Sequence, residues 1–237
     1  MFFDFDGTLA AIGDDPAAVC PVDGATAMLA QLAATIDRVA IVSARPVAFL
    51  REHFTNIDLY GLYGLESHRG GRYHEHPEAA RWRPVVDLLV AEARADLGAD
   101  QVEAKGLSLA LHYRRSPERA ASIQQWARTQ ANRWGLRYQP GRMVAELKPP
   151  IAYDKGDVVA AALGAAQYGW FCGDDVADLR GFHALTGHAI ADPDFTPVRV
   201  AVANNETAAL ADAADLVIAS PAALVAYLNE TIATRCR

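Results

Sequence analysis

Val39-Ala40-Ile41-Val42 is apolar at four successive positions, and this run constrains the fold more than any other feature of the chain. A strand with one wet face alternates apolar and polar side chains. An unbroken apolar run therefore belongs to a strand covered on both faces, as in a parallel sheet flanked by helices. Related short apolar runs occur at residues 1–5 and 168–172. Between the first two runs, Leu29, Leu32 and Ile36 recur at helical spacing, which predicts a helix over 25–33 with Asp23 as its cap. A second helix over 46–53 and a strand over 59–63 follow. Strand, helix, strand, helix, strand is the pattern of right-handed βαβ units, so the fold class is α/β with a parallel sheet.

The middle of the chain breaks that alternation. A helix over 77–97 is followed by strand-like runs at 101–104 and 107–114, separated by a Lys-Gly turn, then a helix over 117–134 and strands near 136–139 and 143–147. Helices with antiparallel-looking strands make an α+β unit of their own. From residue 154 the α/β pattern resumes: a helix over 154–163, a strand over 168–172, a helix over 179–185, strands near 188–191, 198–202 and 216–218, and a last helix over 221–233. The organisation is thus a split core, 1–70 and 150–237, with an inserted cap, 71–149.

Charge narrows the partners. A net charge of −7 and a pI near 5.5 argue against nucleic acid or an anionic membrane, both of which need clustered Lys and Arg. No apolar run reaches the roughly 20 residues of a membrane span, and the first residues show no basic stretch or small-residue cleavage site. Cys20, Cys172 and Cys236 are too far apart in sequence for a metal cluster and read as reduced thiols of a cytoplasmic protein.

The strongest chemical signal is Asp4-Phe5-Asp6-Gly7-Thr8-Leu9, directly after an apolar strand. Two carboxylates at a strand end converge on one spot, Gly7 allows a sharp turn, and ligands of parallel α/β sheets bind beyond the carboxyl ends of strands. A bare Asp-x-Asp also reads as a solvated acidic turn. The second signal, Gly173-Asp174-Asp175-Val176-Ala177-Asp178, again follows a strand and packs three carboxylates into five residues. Such crowding is costly unless a cation offsets it, and oxygen ligands suit Mg²⁺. Ser43 after the second core strand and Lys155 at a helix start are weaker signals: the first reads equally as a helix cap, and the second sits where the helix dipole disfavours a cation.

Asp-Phe-Asp-Gly-Thr-Leu resembles the first motif of the haloacid dehalogenase-like phosphatases, and the other motifs follow in order. That resemblance implies a Rossmann-like parallel-sheet core with Asp4 as nucleophile, Asp6 as general acid and base, Ser43 and Lys155 as phosphoryl-binding groups, and Mg²⁺ held by Asp4, the backbone carbonyl of Asp6, and Asp174. It puts Asp175 and Asp178 behind the metal ligands. Splitting a difficult hydrolysis into two displacements at a carboxylate is sound chemistry in its own right.

Gly61-Leu62-Tyr63-Gly64-Leu65-Glu66, Glu103-Ala104-Lys105, His112-Tyr113-Arg114, Glu146-Leu147-Lys148-Pro149 and Asp154-Lys155-Gly156 are each similar to patches of the trehalose-6-phosphate phosphatases. By that likeness Glu103, Lys105, Arg114 and Glu146 contact sugar hydroxyls, with His112 and Glu66 beside them, and the partner is a small sugar phosphate. Strand alternation sets His112 on the face away from Leu107, Leu109 and Leu111, as for an ordinary exposed strand residue. Glu103 and Lys105 share a face and suit a cross-strand ion pair. Ala44, Tyr63 and Ala177-Asp178-Leu179 depart from the family pattern. Hydrolysis of trehalose 6-phosphate is the leading expectation. The alternatives are another sugar-phosphate phosphatase of the same superfamily, acting on sucrose phosphate or a glycosyl phosphoglycerate, and an inactive sugar-phosphate-binding domain.

Overall fold

The computed structural model describes residues 1–13, 15–141, 143–203 and 208–235. Cys236 lies outside the described residues. The chain forms two compact units, Met1–His74 with Tyr153–Arg237, and Glu75–Ala152, where the sequence reading placed the insertion at 71–149.

In the first unit, strands β1 (Phe2–Phe3), β2 (Ala40–Val42), β3 (Asp58–Gly61), β4 (Glu66–Arg69) and β5 (Arg72–Glu75) come from the first segment. Strands β10 (Tyr168–Gly173), β11 (Thr196–Val202) and β12 (Leu216–Ile218) come from the last. They form one sheet in the order β12-β11-β10-β1-β2-β3-β4-β5, parallel from β12 to β3, with β4 antiparallel to β3.

Alternation along the strands explains why these runs are apolar throughout. Phe3, Ile41, Leu59 and Cys172 face one side, against α1 (Ala25–Ala33) and α8 (Pro221–Arg235). Phe2, Ala40, Val42, Tyr60 and Phe171 face the other, against α5 (Lys155–Leu163), α6 (Leu179–Ala191) and α7 (Ala208–Asp212). Phe3 and Phe171 are fully buried, and truncating either to Ala costs about 3–5 kcal/mol.

Four local readings of the sequence are corrected. The strand expected at 188–191 is the last turn of α6; β11 already occupies the slot beside β10, and the Ala-rich segment continues the helix, with the His188 ring 4.5 Å from that of Phe195. Asp23 does not cap α1; Gly24 takes the cap position at φ 82 without a side-chain bond. The strand over 59–63 stops at Gly61, because Leu62 and Tyr63 turn left-handed. Strands β4 and β5 were not anticipated: they are polar throughout, and their one signal was Gly70-Gly71, both at positive φ, the composition of a two-residue hairpin turn.

The second unit holds α3 (Arg83–Leu97), β6 (Val102–Ala104), β7 (Leu109–His112), α4 (Ala120–Trp134), β8 (Arg137–Gly141) and β9 (Val144–Lys148). Helix α3 starts six residues after the expected Pro77, preceded by a 3-10 turn at Ala80–Trp82. The sheet is antiparallel in the order β6-β7-β9-β8. Leu109, Leu111, Ala145 and Leu147 pack on Val86, Leu89 and Val90 of α3 and on Ile123 and Ala127 of α4. The other face of the sheet carries the polar side chains Glu103, His112 and Glu146, beside Ala110 and Val144. Among the described residues no helix is long and apolar enough to cross a membrane.

Candidate active site

The site is assembled by strand register. Phe3 of β1 lies level with Ile41 of β2 and with Cys172 of β10, and the Asp4 amide donates to the Cys172 carbonyl at 2.9 Å. β1 ends at Phe3, and β2 and β10 end one residue further on, at Val42 and Gly173, so Asp4, Ser43 and Asp174 stand at adjoining carboxyl ends. Gly7, at φ 81, turns the chain after the acidic pair. Thr8 Oγ donates to Asp174 Oδ1 at 3.4 Å, which ties the first acidic loop to the second.

Lys155 is the hub. Its Nζ lies 2.7 Å from Asp4 Oδ1 and 2.7 Å from Asp178 Oδ1, and all three side chains are buried. Asp154 places it there: its carboxylate accepts from Gly156 and Asp157 and closes a reciprocal cap, so α5 begins with Lys155 aimed inward. Asp178 is in turn held by the backbone, its Oδ2 accepting from the Asp174 amide at 2.9 Å and the Asp175 amide at 3.1 Å. Exposed Asp175 caps the turn Val176–Asp178, with Oδ1 accepting from Ala177 at 2.7 Å.

Burial pushes the Asp4 carboxyl well above the usual carboxylate range. Lys155 pulls it down, while Asp178, Asp174 and Asp175 push it up. Asp178 is likewise raised by burial against the pull of Lys155. Burial would lower the Lys155 ammonium, but Asp178 and Asp4 outweigh it and hold it well above its ordinary value. Two buried carboxylates thus share one buried ammonium, with buried Asp174 beside them. Oxygen atoms of Asp4, Asp174 and Asp178 all lie within 4.8 Å of one another, the spacing of a hard-cation site, and the surplus of negative charge is what a divalent ion would neutralise. Burial pushes the thiol of neighbouring Cys172 up to about 12.

Asp6 does not join this cluster directly. Its carboxylate is gripped by Arg45, with Nε 2.8 Å from Oδ2 and Nη2 2.6 Å from Oδ1. The Arg45 guanidinium also lies over the Phe49 ring at 4.5 Å. The sequence reading did not single out Arg45, two residues after Ser43. The available signal was an Arg at the mouth of a buried strand, where a planar fork needs a carboxylate partner. Ser43 is buried, and its Oγ accepts from the Arg45 amide at 3.1 Å. Glu66 is also buried, with its oxygens accepting from the Val47 amide and, at 2.7 Å, from the Tyr73 hydroxyl.

The remaining candidates lie in the second unit. On its polar sheet face His112 Nε2 meets Glu103 Oε2 at 2.7 Å, Lys105 Nζ lies 3.7 Å from Glu146 Oε1, and Ser108 Oγ donates to the same oxygen at 2.9 Å. Glu103 therefore makes a cross-strand pair with His112 of β7, and Lys105 meets buried Glu146. Arg114 follows β7, half-buried.

A family model described as trehalose-phosphatase matches residues 2–215. The trehalose-phosphate phosphatase of Mycobacterium marinum is 34% identical over 244 aligned positions, which cover 96% of this chain and 60% of that protein. The chain thus spans about three-fifths of the length of such curated relatives. Among solved structures, one described as a trehalose-6-phosphate phosphatase related protein has a TM-score of 0.84 at 20% identity, covering 99% of this chain and 97% of that one. The C-terminal domain of Candida albicans trehalose-6-phosphate phosphatase has a TM-score of 0.76 at 22% identity, covering 98% and 92%. At these identities the two structures speak for the fold.

Proposed function

The chain belongs to the trehalose-phosphatase family, and from that premise we propose that it is a phosphoric monoester hydrolase acting on trehalose 6-phosphate, with Asp4 as nucleophile. The observation that carries the proposal is the buried Asp4–Lys155–Asp178 cluster at the carboxyl ends of β1 and β10, with Asp174 beside it.

In this reading an Asp4 oxygen attacks phosphorus and the bond from phosphorus to the sugar oxygen breaks. The Asp6 carboxyl gives its proton to the departing oxygen. Water then attacks the aspartyl phosphate, Asp6 takes the proton, and inorganic phosphate leaves with Asp4 regenerated. Lys155 neutralises negative charge beside Asp4, and the Ser43 hydroxyl contributes a hydrogen bond to the phosphoryl oxygens. Lys155 and two amides already engage Asp178, so Asp4 and Asp174, with the Asp6 carbonyl, are the groups assigned to Mg²⁺. When bound, the ion would supply Lewis-acid stabilisation of charge on the phosphoryl oxygens. Glu103, Lys105, His112, Arg114 and Glu146 are assigned to the sugar hydroxyls, because a polyol needs both donors and acceptors.

The test is phosphate release from trehalose 6-phosphate, sucrose 6-phosphate and glucose 6-phosphate, with and without Mg²⁺, by the natural chain and by Asp4→Asn. Mg²⁺-dependent turnover of trehalose 6-phosphate that Asp4→Asn abolishes is the expected result. Preference for sucrose 6-phosphate would move the substrate assignment, and substantial activity in Asp4→Asn would overturn the nucleophile.

A further inference from the structure

The segment from Ser43 to Val47 carries two groups of the candidate site, yet it has little structure of its own. Its short helix α2 (Val47–Arg51) is preceded by Pro46, which supplies no side-chain cap, so the first helical amides need an acceptor from elsewhere. That acceptor comes from 19 residues away: Glu66, buried at 8% exposure, takes the Val47 N–H on one carboxylate oxygen and the Tyr73 hydroxyl on the other.

The turn after β3 completes the clamp. The Leu62 amide donates to the Arg45 carbonyl at 3.0 Å and the Tyr63 amide donates to the Ser43 carbonyl at 2.9 Å. To do so, Leu62, Tyr63 and Gly64 take φ of 50, 60 and 96, a run of left-handed residues that is costly outside glycine. Gly61 leaves the space. A β-carbon there would lie 2.5 Å from the Val47 nitrogen, 2.7 Å from the Arg45 carbonyl oxygen and 3.0 Å from Glu66 Oε1.

We propose that Glu66 is a positioning residue, which fixes Ser43 and Arg45, and through Arg45 the Asp6 carboxylate, by anchoring the Val47 amide. The inference rests on the phosphatase reading of Ser43 and Asp6, and it differs from a sugar-contact role for Glu66. A sugar contact acts only on sugar substrates, whereas an anchor of the phosphoryl-binding loop acts on every phosphate ester.

Glu66→Ala is therefore expected to lower kcat about tenfold to a hundredfold on both trehalose 6-phosphate and p-nitrophenyl phosphate, with smaller changes in KM, since small displacements of reacting groups cost that much. Hydrogen exchange at the Val47 amide should accelerate in the same variant. Glu66→Gln keeps an oxygen for Val47 and should restore most of kcat and the protection. Tyr73→Phe removes only the second donor from a half-exposed side chain and covers the case in which Glu66→Ala fails to fold; it should give a smaller loss on both substrates. Loss confined to trehalose 6-phosphate, or unchanged Val47 exchange in Glu66→Ala, would overturn the proposal. Exchange is read without substrate, so a natural chain inactive on every phosphate would sink the phosphatase reading and leave the anchor to be judged on Val47.

Discussion

A β-carbon on Gly7 would lie 2.0 Å from Oδ2 of Asp174, so the two acidic loops of the site touch with no room for a side chain between them. Gly7 also sits at φ 81, where an L-residue is strained. The relation is mutual: the Asp174 carboxylate occupies its position because residue 7 has no side chain.

Gly7→Ala is accordingly expected to displace Asp174 and abolish phosphate release. The left-handed backbone adds about 1–2 kcal/mol of strain to the clash, which thermal unfolding will show as a lowered Tm. A Gly7→Ala protein with full activity would mean that the contact between the loops has no role in the chemistry.

Arg45 grips both oxygens of Asp6 in a planar fork, which a lysine cannot reproduce. Arg45→Lys keeps the charge and loses the geometry. It should reduce kcat about tenfold or more while KM for trehalose 6-phosphate changes little, as steady-state kinetics with circular dichroism on the same sample will show.

Lys105 and Ser108 both address Glu146 on the polar face of the second sheet. Lys105→Ala and Glu146→Ala are expected to depress kcat/KM for trehalose 6-phosphate at least about tenfold, the worth of about 1.4 kcal/mol of lost contact, and to spare p-nitrophenyl phosphate. Equal losses on both substrates would remove these residues from the sugar contacts.

Arg199 and Asp215 offer a control away from the site. Arg199 Nη2 lies 2.6 Å from Asp215 Oδ1, and the guanidinium's hydrogen bonds hold the Asp215 carboxyl below its usual value. A depressed folded-state pKa means that the pair's contribution is complete above the unfolded value of about 3.9, and is lost as pH falls through the lower folded value. The pair is partly exposed, so Asp215→Asn should cost less than about 1 kcal/mol at pH 7, and the difference from the natural chain should vanish in strong acid. Urea unfolding at pH 7 and near pH 2 will measure it, with phosphate release expected to stay intact.

Much of the α/β frame was legible in the residues. The runs at 39–42 and 168–172 are apolar throughout because helices cover both faces of the sheet, and they carry the parallel core as β2 and β10. What failed at 188–191 failed for a physical reason: a short apolar stretch holds no information about whether a neighbouring strand position is free. Strands β4 and β5 were missed because a hairpin of polar residues lacks the apolar run that marks the core strands, and only Gly70-Gly71 announced it.

The amino-acid order alone determined that Asp4 and Asp6 leave one strand end and that Asp174, Asp175 and Asp178 leave another, since those spacings are local. Only the tertiary structure decided who faces whom: Lys155 between Asp4 and Asp178, Arg45 on Asp6, Glu66 on Val47, His112 on Glu103. Those partners meet through strand register and helix packing, and pairings between distant residues depend on how the chain closes on itself.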